Sequence, residues 1–77
     1  MTINQLGAAL NKMCEEAPKG HKTAMIHVFG IKYAQEIKKS KFNKKEIAKA
    51  AKISETYFAE INKGVKLGEY VTIKKGI

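Results

Sequence analysis

The chain has 77 residues, and its charge comes from two residue types only: 15 Lys and 7 Glu, with no Arg and no Asp, for a formal net charge of +8. A domain near this size buries only about 60% of its unfolded surface, which leaves room for one small core and excludes a deep pocket around a cofactor. The 44% hydrophobic content excludes disorder as the default, and the positive excess points to a polyanionic partner.

The opening Met1-Thr2-Ile3-Asn4-Gln5 lacks the basic and apolar regions of a signal peptide. The uncharged run Thr23 to Ile31 is far short of the ~20 residues that span a bilayer. A single cysteine, Cys14, cannot close an internal disulfide. A cytoplasmic protein with no membrane segment is the expectation.

The first predicted element is a helix over about 3–16. Ile3, Leu6, Leu10 and Met13 recur at three- and four-residue spacing, and Thr2 with Gln5 makes a capping box. Ala17-Pro18-Lys19-Gly20 then breaks the chain. Residues 23–30 are ambiguous. Ile26, Phe29, Tyr33 and Ile37 keep helical spacing, but the β-branched and aromatic run from Met25 suits a strand at 25–29, and Gly30 weakens a helix by about 1 kcal/mol. Either one helix runs through, with Gly30 allowing a close crossing, or a strand precedes a helix at 31–39.

From Phe42 the signals agree with one another. Asn43 is a preferred N-cap with Glu46 three residues on, and Phe42 and Ile47 have the spacing of a hydrophobic staple, which predicts a helix at 44–51. Ser54 caps a second helix at 55–63, with Ile53 and Phe58 as its staple. Gly64 is placed to end it in the left-handed conformation. Tyr70-Val71-Thr72-Ile73 has strand composition, which predicts a strand at about 70–74 paired with 25–29 or with a second molecule. The expected fold is mainly α: one small helical domain over 1–77, with a short C-terminal strand forming a minimal wing or a two-stranded sheet.

Residues 38–77 carry eleven Lys against four Glu, a net of +7, whereas residues 1–37 carry four against three. Within the basic half, Lys45 to Gly64 resembles the helix-turn-helix of bacterial and phage DNA-binding proteins. Ile47, Ala48, Ala51, Ile53, Phe58 and Ile61 fit that family's apolar pattern in register, with small Ala48 where the second helix crosses the first. One departure stands out. The family usually has Gly in the turn just before the apolar residue, and here Lys52 must take positive φ or the turn must differ.

The resemblance implies that helix 55–63 enters the major groove. With Phe58 and Ile61 inward, Ser54, Glu55, Thr56, Tyr57, Glu60 and Lys63 are the candidate base or groove contacts. Lys41, Lys44, Lys45, Lys49 and Lys52 are the candidate phosphate contacts, with Lys38 and Lys39 beside them. The partner expected is double-stranded DNA, for a small regulator or the DNA-reading part of a larger system. Two acidic residues on the groove face and the absence of Arg, the best bidentate grip on guanine, keep a protein partner as the alternative, with Glu55, Tyr57 and Glu60 as contacts. A homodimer across two half-sites is a further option. No metal and no cofactor is expected, since His21, His27 and Cys14 make no ligand spacing. Nor is catalysis, since the chain has no Asp for a triad and no Gly-rich phosphate loop.

Overall fold

A computed structural model describes residues 1–77, and every regular element in it is helical. In chain order these are α1 (Ile3–Glu15), α2 (Lys22–Lys32), α3 (Ala34–Ser40), α4 (Lys44–Ala50), a 3-10 turn (Glu55–Tyr57) and α5 (Phe58–Leu67). Eleven buried hydrophobic residues, drawn from all five α-helices and from Ala51, form one cluster, with Leu6, Leu10, Ile26, Phe29, Ile47 and Ile61 wholly sealed from solvent.

Helix α1 begins where its side chains satisfy the first free amides. Thr2 Oγ1 accepts from the Gln5 amide at 3.1 Å, and Gln5 Oε1 accepts from the Thr2 amide at 2.8 Å. Its Leu6 and Leu10 point into the core, and Asn11 ties it to the end of α4 by donating to the Ala51 carbonyl at 2.9 Å.

The ambiguous residues 23–30 are helical. Their apolar positions are one helical stripe, and that stripe packs on α5; tertiary burial outweighs the strand preference of the individual side chains. The helix is interrupted at Tyr33 (φ −106, ψ 19), whose ring lies 5.2 Å from that of Phe29, and resumes as α3. Gly30 explains why the stripe can approach so closely. A Cβ on Gly30 would lie 2.7 Å from Gly64 Cα and 2.7 Å from the Ile61 carbonyl oxygen, so α2 and α5 cross backbone to backbone at this pair of glycines.

Two sequence expectations fail for related reasons. Gly64 does not end its helix: α5 runs on to Leu67, because the missing side chain is spent on the crossing rather than on a left-handed cap. The strand at 70–74 does not form. With 25–29 coiled into α2, the tail has no ladder partner, and a lone strand has nothing to satisfy its amides. Tyr70 and Val71 are instead exposed.

The turn after α4 takes the strained solution. Lys52 has φ 62, and the Ile53 and Lys52 amides donate back to the Ala48 and Lys49 carbonyls at 3.1 and 2.9 Å. These two bonds make a Schellman motif whose left-handed residue is a lysine instead of a glycine. Lys41 adopts the same conformation (φ 60) at the end of α3. Lys52→Gly is therefore expected to raise stability by about 0.5–1 kcal/mol, the relieved left-handed strain exceeding the extra freedom Gly gives the unfolded chain. Lys52→Ala should give no such gain, and urea midpoints separate the two.

Candidate nucleic-acid interface

Helix α4, the turn at Lys52 and the unit formed by the 3-10 turn with α5 make two short helices in a bent arrangement. Asn43 starts the first by accepting from the Lys45 amide at 2.8 Å. Ser54 starts the second: its Oγ accepts from the Thr56 amide at 3.3 Å and shares a 2.8 Å hydrogen bond with Thr56 Oγ1. Ile47, Ala48 and Ala51 are fully buried between the helices, and Ile53 packs at the edge of the core. The spacing anticipated for a helix-turn-helix is thus present at these positions.

One position of the apolar pattern is different. Phe58 does not join the core; it is 41% exposed, while Tyr57 packs against the core in its place. Because α5 continues past Gly64, its inward stripe is Tyr57, Ile61, Gly64 and Val65, and Phe58 falls to the side of it. The signal was present in the sequence, but only for a helix drawn to its full length.

The candidate contacts do not all stay free. Glu60 is half-buried, and its carboxylate pairs with His27 Nε2 at 2.7 Å and Lys63 Nζ at 3.4 Å. Glu55 lies 3.6 Å from Lys49 Nζ. Tyr57 has Lys22 Nζ 4.9 Å from its ring centre. Ser54, Glu55, Thr56 and Lys63 are exposed. Of the phosphate candidates, Lys41, Lys45, Lys49 and Lys52 are exposed and Lys44 is half-buried; Lys45 Nζ sits 5.0 Å from the Phe58 ring centre. Lys38 is drawn away to Glu69 at 2.9 Å. Sequence inspection missed the places of His27 and Phe58 at this face. The His27–Glu60 contact joins residues 33 positions apart, a separation at which spacing carries no information.

The hydrogen bond from His27 holds the Glu60 carboxyl below the ordinary glutamate range, with Lys63 adding to the effect and partial desolvation opposing it. A carboxylate with a depressed folded pKa stabilises the fold above its unfolded value and loses that contribution as pH falls through the folded one. Wild type should therefore lose more stability than Glu60→Gln as pH drops below about 4.3. Equal acid limbs in urea titrations of the two proteins would show that the bond is energetically idle. Cys14, on α1, is partly buried, and that burial pushes its thiol up against the opposing pull of Lys22; a less ionised thiol is a poorer nucleophile.

A family model for an HTH-like domain matches residues 2–74. The chain belongs to this HTH-like domain family. The match takes in all five helices and not only the twenty residues that carry the motif, so α1 to α3 belong to the domain as the support on which the helix-turn-helix rests. No curated protein and no solved structure matches the chain. In this HTH-like domain no helix is long and apolar enough to cross a membrane.

Proposed function

We propose that this HTH-like domain binds double-stranded DNA, with α4 and its flanking turns on the phosphates and the 3-10 turn with α5 at the major groove. The observation that carries it is the coincidence of the helix-turn-helix with a set of lysines left without acidic partners. Lys41 precedes α4, Lys44 and Lys45 open it and Lys52 follows it, and none of them enters an ion pair within the chain. Like charges gathered around one short helix repel, and a phosphate backbone relieves that repulsion. The amino end of the groove unit presents Ser54 and Thr56 hydroxyls, and Lys63 lies further along it.

The role is that of a small regulator or of the DNA-reading part of a larger system, working in the cytoplasm. The alternative of a protein partner held by Glu55, Tyr57 and Glu60 draws less support. Glu60 and Tyr57 are largely taken up by contacts inside the domain. An NMR titration with mixed-sequence duplex DNA at low salt tests the proposal. Shifts confined to 41–45, 52–58 and 63–66 are the expected result. No binding at low salt, with Lys44, Lys45 and Lys63 unperturbed, would overturn it.

A further inference from the structure

The domain's polar readers are mostly engaged with one another. Glu60 is bonded to His27 and Lys63, Glu55 lies beside Lys49, and Ser54 and Thr56 share a hydrogen bond. There is no arginine to grip guanine. The largest side chain of the groove unit that lies outside both the core and the polar network is Phe58, at the first position of α5 and 41% exposed. Its ring lies against Lys45, one of the phosphate candidates, so whatever ligand engages that lysine also meets the ring.

An apolar side chain in the major groove can read one feature of the bases: the methyl group on C5 of a pyrimidine. We infer that Phe58 is a specificity-determining residue that recognises a pyrimidine C5-methyl group, that of thymine or of 5-methylcytosine. The inference rests on the proposal that this face binds duplex DNA. Asn62 lies one turn further along the same flank of α5. An amide there suits adenine N6 and N7, which makes an A·T pair readable from both of its bases.

The Lys45 contact serves the same end. A cation over a ring face gains electrostatic attraction, and the ring holds the lysine stem in place. Phosphate anchoring and methyl contact are thereby coupled through one pair of side chains.

The test uses the whole chain and one mixed-sequence duplex in three forms: unmodified, with every thymine replaced by uracil, and with every cytosine replaced by 5-methylcytosine. Fluorescence anisotropy at fixed salt gives the three affinities for wild type, Phe58→Leu and Phe58→Ala. Wild type is expected to bind the uracil duplex about fourfold more weakly, the effect of one buried methyl group. Phe58→Leu should keep most of that difference and Phe58→Ala should lose it. Tighter binding to the 5-methylcytosine duplex extends the recognition to that base, whereas an unchanged affinity assigns it to thymine alone. Because Phe58 lies outside the core, an unchanged thermal melt for Phe58→Ala is expected. Tight, salt-sensitive binding that ignores the methyl group, or a Phe58→Ala protein that still discriminates, overturns the inference and leaves DNA binding standing. Failure of all three duplexes to bind overturns the proposed function itself.

Discussion

Replacing Gly64 with Ala should destabilise the domain by about 1–2 kcal/mol. A Cβ on Gly64 would fall on the His27 carbonyl oxygen and lie 2.9 Å from Gly30 Cα. Both obstacles are backbone, so no rotamer change relieves them, and the helices must separate. Separation loosens Ile61 and Val65, which are packed on either side of the crossing. Overpacking of this kind costs about 1–3 kcal/mol and occasionally more. Alanine returns up to about 1 kcal/mol as the better helix former, which is not enough to offset it. Gly30→Ala should behave similarly. The double substitution should cost less than the sum of the two, because both disturb one contact. Urea midpoints at constant m measure all three, and a Gly64→Ala protein within about 0.5 kcal/mol of wild type would show that the crossing tolerates a methyl.

Duplex binding should fall steeply with salt. Five lysine–phosphate contacts give a log–log slope of roughly −4.5, so raising salt fourfold weakens binding by about 500-fold. Gln at Lys44 or Lys52 should each flatten the slope by about 1 without altering any sequence preference, and Gln at Lys45 should flatten it by the same amount. The triple variant should lose on the order of a hundredfold in affinity at ~0.1 M salt. Gln at Lys12 and Lys19, both outside the helix-turn-helix, should leave the slope unchanged. If those two lysines matter as much as the three around α4, binding follows net charge and not the proposed face. Lys52 brings stability and binding into opposition: the glycine variant expected to strengthen the fold is also expected to bind more weakly.

How much of this was legible in the sequence depends on the range of the interaction. The caps of α1 and α4 and the burial of Ile47, Ala48 and Ala51 were legible, because each is decided within a few residues. The departure at Lys52 was legible too, as a lysine in a glycine position, and its left-handed φ is one of the two solutions that position left open. The conformation of 25–29 was not, since the reason for Gly30 lies on α5. Once that segment is helical, the tail loses its strand partner. Ending the groove helix at Gly64 concealed the stripe that takes Tyr57 inward and leaves Phe58 out. The pairing of Glu60 was not legible either, because its histidine partner sits on another helix.

The glycine crossing also bears on the order in which the domain assembles. Helix α5 is 10 residues long and α4 only 7, lengths at which isolated helices are marginal in water. The groove unit is therefore held by α2, which arrives from the other half of the sequence, and loop closure must precede any stable reading head. A fragment carrying residues 42–68 alone would hold the motif's letters without its shape. Loss of α2 by truncation or proteolysis would thus abolish function without touching a single candidate contact.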